Sequence, residues 1–597
     1  MSTTTAMETN LELGETIPAL TAHAVSVSLP TWRSNVSYEE GEEWVLSKMK
    51  TGYPRFFINK TIEALANTIL ERYGMPGERA MLFPSATTAR RCVTFFRQHA
   101  LDVPERHLRI LNFELKEPDQ MKYASPKVSA VLFPGEHWSV AKQYWQHTGD
   151  GVSSRRAQYC HELLNAGILE EKREDVPVFC KGPRRYRDKK SLSQDLTATI
   201  NGASDTQDST AFIEERFGRN LELQFAEKAK SAIRRRIAGT LTADVPLEDA
   251  LELEQDQARK RDVAGLSEDD IYLYSCGMNA IFNTHRTLLA ALGSMKSVMF
   301  GFPYVDTLKI LQKFGPGCLF FGRGESEDLD DLERNLENGE KLLALFCEFP
   351  GNPLLKSPDL ARIRALADKY DFAVVIDETI GNFLNVNVLP YADVVVSSLT
   401  KVFSGDSNVM GGSAILNPRG RYYSHLKKVW DQEFEDNYWA EDAIFMERNS
   451  RDFVSRIDRI NANAEAVCEV LRQDPRVKQV MYPKYNACRP FYERCRTANG
   501  GYGGLLSATF HKREHAITFF DALDTAKGPS LGTNFTLSSP YVILAHYNEL
   551  DWAESLGVER DLIRFSIGLE DTNELAATFR NALAAIDDGK AVSASGQ

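Results

Sequence analysis

Residues 394–401 read Val-Val-Val-Ser-Ser-Leu-Thr-Lys, and Val-Phe-Ser-Gly follows at 402–405. An apolar, β-branched run that ends in hydroxyls and one lysine is typical of a buried parallel strand that opens onto a crevice. Upstream, Phe-Ala-Val-Val-Ile at 372–376 leads directly into Asp377. Taken alone, Lys401 would be a surface residue, but the carboxyl ends of neighbouring parallel strands meet at the ligand-binding edge of an α/β sheet. We therefore expect Asp377 and Lys401 to face the same crevice.

Strand-like apolar runs recur around this stretch and are separated by helix-compatible sequence. The runs lie at 271–275, 297–302, 342–347, 372–376 and 393–398. Nearly continuous apolar runs indicate strands that are covered on both faces, which predicts an α/β fold with a mostly parallel central sheet in three layers. At about residue 421 the pattern changes to a long helical region followed by shorter segments. This change predicts a smaller C-terminal α/β domain.

The 597 residues are enough for roughly two to four domains. We divide the chain into a mobile N-terminal tail (1–40), an extra N-terminal α/β region (41–180), a polar linker (181–210), a large α/β domain (211–420) and a small C-terminal domain (421–597). The linker is assigned because its charged and small polar residues cannot bury enough apolar surface to fold alone. A second polar stretch, 240–269, is interpreted as an insertion loop or a solvated helix.

Two pairs of segments suggest that the N-terminal region repeats part of the large domain. Residues 78–96 resemble 269–287, and 128–138 resemble 296–306. In both regions, a strand, a small-residue turn and a helix come first, and a strand that ends in Phe-Pro follows. One interpretation is a degenerate, non-catalytic repeat, and the other is a chance similarity between generic α/β segments.

Composition excludes several functional classes. The net charge is -13 and the pI is near 5.5, so the chain as a whole gains nothing from binding phosphates, and we expect no nucleic-acid partner. The nine cysteines include no Cys-x-x-Cys pair, which indicates neither a disulfide framework nor a metal site. No apolar run approaches the ~18 residues of a membrane helix, and the N-terminus carries glutamates without arginine. We expect a cytoplasmic protein with no membrane partner.

A lysine and a carboxylate at one sheet edge suit the cofactor pyridoxal 5'-phosphate (PLP). The lysine can form a Schiff base with PLP, and the carboxylate can keep the pyridine nitrogen protonated. Ser-Cys-Gly-Met-Asn-Ala at 275–280 joins a strand to a helix, and Gly277 lets the N–H groups at the helix start approach a phosphate. Ser398 and Thr400 add hydroxyl donors on the strand that carries the lysine. Tyr304, after another strand, is either a ring that stacks on the cofactor or an ordinary rim tyrosine.

Taken in order, several motifs resemble the Cys/Met-metabolism family of PLP-dependent enzymes, which has fold type I. The matching pieces are SCGMNAI (275–281), FPYVDTL (302–308), EFPGNPLLKSPDL (348–360), VVIDETIGN (374–382), SSLTKVFSG (397–405), GGLLSATF (503–510), GPSLGTNFTL (528–537) and RFSIGLED (564–571). Residues 211–597 carry the resemblance, and its detail is most similar to the fungal transsulfuration members. The resemblance implies a PLP-dependent transferase of fold type I, in which the domain at 211–420 binds the cofactor.

The resemblance also implies a role for each matching residue near the cofactor. Lys401 would be the Schiff-base lysine and proton carrier, and Asp377 would pair with the pyridinium nitrogen. The phosphate would be held by Gly277, Met278, Ser398 and Thr400. Tyr304 would stack on the ring and take part in catalysis, and Asn352 would lie near the ring hydroxyl.

For the substrate, the resemblance implies a site around Arg564. This residue would bind the α-carboxylate, because a guanidinium can contact a carboxylate through two parallel hydrogen bonds. Ser530 would lie beside it through its backbone, and Asn352 would also bind the substrate. Pro529 stands where relatives often have a glutamate, which leaves the recognition of the nucleophile open.

The family usually places a Tyr-x-Arg arm on the phosphate of the neighbouring subunit. Here Phe217-Gly218-Arg219 occupies the expected place, and a literal Tyr53-Pro54-Arg55 lies within the extra N-terminal region. We therefore keep Arg219, Tyr53 and Arg55 as cofactor-binding candidates. Sites shared between subunits imply a homodimer or a homotetramer.

The activity implied by the resemblance is γ-substitution on an O-acylhomoserine by cysteine, which gives cystathionine. Relatives with the same residues use sulfide or a carbon or nitrogen nucleophile, or act as C–S lyases, so these alternatives stay open. A non-enzymatic regulator is a further alternative, in which the basic runs at 184–190 and 234–236 would contact nucleic acid. A solvated linker and a helix face are the competing interpretations of these runs. The expected partners are small amino-acid substrates.

Overall fold

The computed structural model describes residues 11–116, 126–172, 223–253, 261 and 263–587. Their strands form a two-stranded ribbon, a four-stranded sheet in the N-terminal region, a seven-stranded central sheet and a five-stranded sheet near the C-terminus. No helix among these residues is long and apolar enough to cross a membrane. The linker predicted at 181–210 lies outside the described residues.

Residues 11–59 form an arm that packs on the C-terminal domain. The arm contains β1 (Thr16–Ile17), β2 (Ser26–Val27), α1 (Trp32–Glu39) and α2 (Glu43–Leu46). Trp32 packs edge-on against Phe520, and its backbone N–H donates to Asp521 Oδ1 at 2.7 Å. The prediction of a mobile tail over 1–40 is therefore wrong for the described part of that range. Its apolar side chains are buried against partners distant in sequence, so no local periodicity reveals them.

The rest of the N-terminal region is an α/β unit with an antiparallel sheet. Its strands are β3 (Glu78–Phe83), β4 (Arg109–Leu115), β5 (Val128–Pro134) and β6 (Leu169–Glu171), and its helices are α3 (Lys60–Tyr73), α4 (Ala86–His99), α5 (Trp138–Thr148) and α6 (Ser154–Asn165). The sheet order is β3-β5-β4-β6. This pairing argues against the degenerate repeat, because β3 and β5 are antiparallel neighbours, whereas their counterparts at 271–274 and 296–300 lie apart in the central sheet.

The central sheet confirms the mostly parallel architecture. Its strands are β7 (Ile271–Tyr274), β8 (Lys296–Phe300), β9 (Cys318–Phe321), β10 (Leu342–Glu348), β11 (Ala373–Asp377), β12 (Val394–Ser398) and β13 (Gly412–Leu416). Their order is β7-β13-β12-β11-β10-β8-β9, and β13 alone runs antiparallel. Val394 and Val396 pack into one hydrophobic cluster and Val395 packs into another, so both faces are covered. Asp377 pairs in register with Val396, which places the carboxyl ends of β11 and β12 side by side as predicted.

Helices from the same part of the chain surround this sheet. They are α7 (Leu223–Ile237), α8 (Leu247–Ala250), α9 (Gly277–Leu292), α10 (Val305–Lys313), α11 (Ser326–Glu337), α12 (Leu360–Tyr370) and α13 (Asn382–Asn385). Leu247 and Ala250 are buried, so the stretch at 240–269 is not simply a solvated insertion.

The basic run at 234–236 belongs to the packed structure. Arg235 donates to the carbonyl oxygens of Ala250 and Leu251, at 3.0 and 3.1 Å. Arg236 forms a buried ion pair with Glu447 at 3.0 Å. These guanidinium groups stabilise the fold, and they do not form a nucleic-acid surface. The other basic run, at 184–190, lies outside the described residues.

The C-terminal part forms the smaller α/β domain. Its strands are β14 (Val477–Met481), β15 (Leu505–Phe510), β16 (Ala526–Lys527), β17 (Leu537–Ser539) and β18 (Ile563–Ser566), in the order β14-β15-β18-β17-β16. Its helices are α14 (Tyr423–Glu433), α15 (Ala440–Asn449), α16 (Phe453–Gln473), α17 (Arg489–Cys495), α18 (Arg513–Ala522), α19 (Tyr541–His546), α20 (Leu550–Ser555) and α21 (Thr572–Ala584). The ends of β17 and β18 face the central sheet and complete the site described next.

Candidate active site

A cleft of about 200 Å³ opens at the carboxyl edge of the central sheet. It is lined by the ends of β10, β11 and β12, by the start of α9 and by the C-terminal domain. The N-terminal region closes the remaining side with residues between 23 and 25, 52 and 62, and 145 and 155. Open α/β sheets bind ligands at this edge, so the cleft is the candidate active site.

Lys401 follows β12 and is buried at the centre of the cleft. Its Nζ donates to the Tyr53 hydroxyl and to Ser530 Oγ, both at 3.0 Å. Burial lowers the pKa of Lys401, and the guanidinium groups of Arg564 and Arg55 add to this effect, while Tyr53 opposes it. A lowered pKa raises the fraction of neutral amine, which is the form that can accept a proton from carbon.

Tyr53 reaches the lysine from the N-terminal arm. Its ring lies 4.5 Å from Lys401 Nζ, and its hydroxyl is beside that of Tyr304. Burial favours the neutral phenol of Tyr53, but the charges of Lys401 and Arg55 outweigh burial and lower its pKa. Burial raises the pKa of Tyr304 instead. Two hydroxyls of different acidity next to an amine form a route for proton transfer.

Asp377 ends β11 and faces the same cleft as Lys401. Its Oδ1 accepts from the Thr379 backbone N–H at 2.8 Å. Burial raises the pKa of Asp377 to about 6, with a smaller contribution from Glu378, while hydrogen bonds from Thr379 act in the opposite direction. The carboxylate is therefore largely ionised at neutral pH and suits a protonated pyridine nitrogen.

The start of α9 provides an anion-binding turn. Gly277 is its first residue, and a Cβ atom there would lie 2.7 Å from Ser398 Cβ, so only glycine fits this approach. The preceding residue, Cys276, makes no side-chain hydrogen bond to the helix start. The backbone N–H groups of Met278 and Asn279 lie near the Cys276 sulfur, which is a weak acceptor, so a phosphate would be a stronger partner for the helix start. Met278 also lines the cleft.

The hydroxyl of Thr400 has a different role from the one predicted. Its Oγ1 donates to the Gly411 carbonyl at 3.2 Å and accepts from the Gly411 N–H at 3.1 Å. This pairing holds the segment after β12 against the chain that leads into β13, and it uses the one O–H donor of the threonine. Ser398 remains the better candidate for a hydroxyl that binds the phosphate, because it lines the cleft. Its backbone is held in place by a hydrogen bond from its N–H to Thr379 Oγ1 at 2.8 Å.

Arg55 supplies the clearest test of whether a phosphate fits. It is 7% exposed, and its Nη1 lies 3.2 Å from Asp306 Oδ2. Its Nε and Nη1 make no hydrogen bond to any described residue, although both are buried. Buried guanidinium N–H groups normally have acceptors, and a phosphate oxygen is a strong one. The residues present therefore fit the phosphate of PLP.

Tyr304 is fixed at the rim of the same site. Its backbone N–H donates to Glu348 Oε1 at 2.5 Å. The Arg55 guanidinium lies 4.5 Å from the centroid of its ring. The tyrosine thus orients the arm's arginine in addition to offering a ring face to the cleft.

Arg564, Asn352 and Ser530 meet on the other side of Lys401. Arg564 Nη1 donates to Asn352 Oδ1 at 3.1 Å, and Nη2 donates to the Ser530 carbonyl at 2.7 Å. Ser530 has a φ of +99°, an uncommon backbone conformation that aims its carbonyl at this guanidinium. The structure brings these three residues together, as the sequence predicted.

Two residues of the site were not predicted. Glu348 ends β10 in register with Asp377, and its Oε2 accepts from the Asn352 N–H at 3.1 Å. Burial raises the pKa of Glu348 to about 8, and the charge of Asp377 adds to this effect. Tyr541 accepts a hydrogen bond from Asn352 Nδ2 at 2.8 Å. Glu348 could have been predicted as a site residue because it is a carboxylate at the end of a strand, whereas nothing in the sequence around Tyr541 indicated the site.

The structure therefore places twelve of the thirteen predicted site residues in or beside one cleft. They are Tyr53, Arg55, Gly277, Met278, Tyr304, Asn352, Asp377, Ser398, Thr400, Lys401, Ser530 and Arg564. The thirteenth, Arg219, lies outside the described residues. Tyr53, from the candidate arm Tyr53-Pro54-Arg55, contacts Lys401, and the other candidate arm at 217–219 is not among the described residues.

Comparison with known proteins identifies relatives along most of the chain. Residues 258–584 match the Cys/Met metabolism PLP-dependent enzyme family, and residues 61–153 match the N-terminal domain of fungal trans-sulfuration enzymes. Cystathionine gamma-synthase from Neurospora crassa is 55% identical over 96% of this chain and 98% of its own length. The cystathionine gamma-synthase-like enzyme iboG2 from Amanita muscaria is 42% identical over 98% of this chain and 99% of its own length.

Among solved structures, that of cystathionine gamma synthase from Xanthomonas oryzae pv. oryzae, in complex with aminoacrylate and cysteine, is 21% identical. It superposes with a TM-score of 0.48 and covers 60% of this chain and 98% of that chain. The family match and the fungal relatives confirm the predicted family, its fold type I architecture, its cofactor and its enzymatic nature. The chain therefore belongs to the Cys/Met metabolism family of PLP-dependent enzymes and carries the N-terminal domain of the fungal trans-sulfuration enzymes.

Proposed function

We propose that the protein is a cystathionine gamma-synthase that joins an O-acylhomoserine to cysteine. In this reaction the Cγ–O bond breaks, the acyl group leaves as a carboxylate, a Cγ–S bond forms, and the thiol proton is released. The observation that carries the proposal is the contact set around Lys401, which joins a proton-accepting amine to an amino-acid carboxylate site. The similarity to the Neurospora crassa enzyme along nearly the whole chain supports the same reaction.

When bound, PLP supplies an electron sink for negative charge that develops at the substrate carbons. Asp377 would hold its ring nitrogen, Lys401 its reactive carbon, and Tyr304 one ring face. Arg55 and the N–H groups at the start of α9 would hold its phosphate. Each of these assignments relies on a residue that lines the cleft.

Lys401 would carry the protons. Its amine, with a lowered pKa, takes the α proton of the substrate and then exchanges protons at Cβ, returning them after the nucleophile has added. Tyr53 is within hydrogen-bond distance of Nζ and would stabilise the protonated amine between these transfers. Ser530 Oγ, also at 3.0 Å, would keep the amine oriented.

Arg564 would orient the amino-acid substrate. Its guanidinium is held on two sides, by Asn352 and by the Ser530 carbonyl, and lies over the ring of Tyr541 at 4.4 Å. A fixed guanidinium binds a carboxylate through two N–H groups without losing much side-chain entropy. The α-carbon of the substrate is thereby placed next to Lys401.

A second candidate is γ-substitution with another nucleophile, such as sulfide or a carbon or nitrogen group, or a lyase reaction. The observation that favours it is Pro529, which precedes Ser530 where relatives often have a glutamate. The Pro529 carbonyl accepts from Ser26 Oγ at 2.6 Å, so the N-terminal arm occupies the side where the nucleophile would be recognised.

We also propose a homodimer or homotetramer, as the resemblance implied. In place of the cleft shared between subunits that the resemblance implied, each cleft would be completed by the N-terminal arm of its own chain. The arm contacts the C-terminal domain through the Trp32–Asp521 and Ser26–Pro529 hydrogen bonds. These contacts direct Tyr53 and Arg55 into the cleft of the same chain.

The test of the proposed reaction uses the purified holoenzyme mixed with O-acetylhomoserine, with and without cysteine. We expect cystathionine to form only when cysteine is present, and we expect Lys401→Ala to lose both the product and the visible absorption of the bound cofactor. Product from sulfide but not from cysteine, or 2-oxobutanoate without any nucleophile, would replace the synthase by the second candidate.

A further inference from the structure

The N-terminal region touches the anion-binding turn through a short turn of its own. Thr148, the last residue of helix α5, and the next two residues, Gly149 and Asp150, contact residues 275–279. Asn279 Nδ2 donates to Asp150 Oδ1 at 2.7 Å and to the Thr148 carbonyl at 3.2 Å. The contact thus reaches the first turn of α9, whose N–H groups face the phosphate site.

A second pair of contacts holds the residues just before α9. Ser275 Oγ donates to the Gly149 carbonyl at 3.2 Å, and Cys276 Sγ lies 3.8 Å from the same oxygen. Burial raises the pKa of the Cys276 thiol to about 11, so it stays a neutral donor. Together, the two sets of contacts fix both sides of Gly277.

Asp150 is buried, and its charge is compensated within the N-terminal region. Its carboxylate accepts from the Arg91 guanidinium at 3.1–3.2 Å and from the Tyr144 hydroxyl at 2.7 Å. An uncompensated carboxylate behind the phosphate site would repel the dianion. With Arg91 in place, Asp150 can hold the neutral amide of Asn279 without adding net negative charge.

The fit of this turn depends on glycine. Gly149 has a φ of +64°, and a Cβ atom there would lie 2.5 Å from Cys276 Sγ and 2.9 Å from the backbone N of Asn279. A side chain at this position would therefore push the two turns apart. The space is too small for even one methyl group.

We propose that the turn at 148–150 is a working part of the cofactor site, with Asp150 as the positioning residue of the phosphate-binding turn. Asp150 acts through Asn279, and the Gly149 carbonyl of the same turn acts through Ser275, so the turn need not touch the cofactor itself. The N-terminal region is thereby required for tight cofactor binding as well as for supplying Tyr53 and Arg55. The inference rests on PLP as the cofactor and is independent of which nucleophile the enzyme uses.

The chain offers a matched pair of variants for the test. Gly149 and Gly167 both follow a helix in the N-terminal region, with φ values of +64° and +69°. A Cβ atom at Gly167 would meet nothing within 4 Å. Gly149→Ala and Gly167→Ala therefore introduce similar backbone strain, and only the first separates the two turns.

The full-length apoprotein is titrated with PLP, and binding is measured by the quenching of tryptophan fluorescence. Thermal unfolding of each apoprotein is measured in parallel. We expect the dissociation constant of Gly149→Ala to rise at least about tenfold, and that of Gly167→Ala to stay within about twofold of the wild type. Activity of Gly149→Ala should return in excess PLP, a rescue that a purely structural defect would not show.

Equal dissociation constants for the two glycine variants would overturn the proposal. If Gly149→Ala does not fold, Asp150→Asn decides, because it keeps the volume and removes the carboxylate that accepts from both Arg91 and Asn279. We expect Asp150→Asn to lower the unfolding temperature because Arg91 loses its buried partner, and also to weaken PLP binding at temperatures well below its own unfolding. Unchanged binding by the folded Asp150→Asn apoprotein would contradict the inference. Failure of the proposed synthase reaction would leave this titration unaffected, so the two failures are distinguishable.

Discussion

The Nζ atom of Lys401 lies 3.0 Å from the hydroxyl of Tyr53, although 348 residues separate them in the chain. The lysine comes from the central sheet and the tyrosine from the N-terminal arm. Each shifts the other's ionisation, since the ammonium stabilises the phenolate and the phenolate stabilises the ammonium. The N-terminal region therefore takes part in the chemistry of the site and is more than a cover for the catalytic domain.

The first prediction concerns this contact. Tyr53→Phe removes the hydroxyl but keeps the ring, so we expect kcat to fall about 10²-fold, because a positioned proton-transfer group contributes about that much or more. The dissociation constant of PLP should change much less. Tyr547→Phe, which removes an exposed hydroxyl bonded to Glu40, is the control and should behave as wild type. Steady-state kinetics that show the full loss in KM, with kcat unchanged, would contradict a proton-transfer role.

The second prediction concerns the phosphate. Arg55→Lys keeps the charge but loses the planar set of donors, and each lost charge-assisted hydrogen bond is worth about 1.5–3 kcal/mol. We expect PLP to bind about 10- to 100-fold more weakly in titrations of the apoprotein. Arg33→Lys, at an exposed position of the same arm, is the matched control. Wild-type affinity in Arg55→Lys would show that the phosphate lies elsewhere.

The third prediction asks which chain supplies the arm. The test mixes Lys401→Ala subunits with Arg55→Ala subunits, each of which is inactive alone and carries a different affinity tag. The two are unfolded together and refolded, and the mixed oligomers are purified through both tags. If each cleft uses its own arm, no cleft in the mixture is complete and no activity returns. An arm that crosses to the neighbouring subunit would restore one cleft in each mixed pair, which would be measured as recovered turnover. Mixed wild-type and Lys401→Ala oligomers check that one intact cleft is detectable.

The fourth prediction concerns pH. The pKa of Asp377 is about 6 in the cofactor-free protein because the carboxyl is buried. The ionised form binds the pyridinium, so PLP affinity should fall by up to about tenfold per pH unit as the pH drops below 6. Asp377→Asn should bind weakly at every pH and lack this component. The cofactor phosphate also changes its protonation with pH, but it does so equally in both proteins. The difference between the affinity–pH curves of the wild type and Asp377→Asn therefore reports on Asp377, and parallel curves would rule out its role.

The raised pKa of Asp377 also affects how the stability of the apoprotein depends on pH. A carboxyl whose pKa is raised on folding stabilises the folded state most below its unfolded pKa, and this stabilisation is lost as the pH rises through the folded value. For Asp377 the window runs from its ordinary value near 4 to about 6. Urea unfolding of the apoprotein should show this loss, and Asp377→Asn should show less of it.

The fifth prediction concerns substrate binding. Arg564→Lys cannot reproduce two parallel hydrogen bonds to a carboxylate, so we expect KM for the O-acylhomoserine to rise about 10²-fold or more while the absorption of bound PLP is retained. Arg560→Lys, at a half-exposed position shortly before β18, provides the control and should keep the wild-type KM. An unchanged KM in Arg564→Lys would place the substrate carboxylate on a different cation.

Much of the cofactor side of the site was predictable from short stretches of sequence. The run at 394–396 is apolar on both faces of its strand, and β11 and β12 are parallel neighbours, so Asp377 and Lys401 were correctly expected to face one cleft. Gly277 could be predicted as part of the phosphate-binding turn because glycine allows a close backbone approach, and the structure shows that approach to Ser398. These inferences succeed because periodicity and strand-end chemistry are local properties of the chain.

The prediction of a mobile tail failed for the opposite reason. Ile17, Val27 and Trp32 are buried by residues of the C-terminal domain, and nothing within a few positions of them records that contact. The hydroxyl of Thr400 was likewise misjudged, since its partner is a backbone group of another strand connection. Contacts between segments distant in sequence depend on how the domains pack, which local patterns do not encode.

From the sequence alone, Lys401 and Asp377 were predicted because each lies at or just after the end of a strand with a clear apolar pattern, whereas Arg564 and the family followed from the resemblance of several motifs in order. Only the tertiary structure showed that Tyr53 and Arg55 reach the cleft. Tyr53 and Arg55 enter the site because residues 11–59 are anchored on the C-terminal domain, and the turn at 148–150 is pressed against the start of α9. Both are consequences of burying apolar surface between domains, a requirement that acts on the folded chain as a whole.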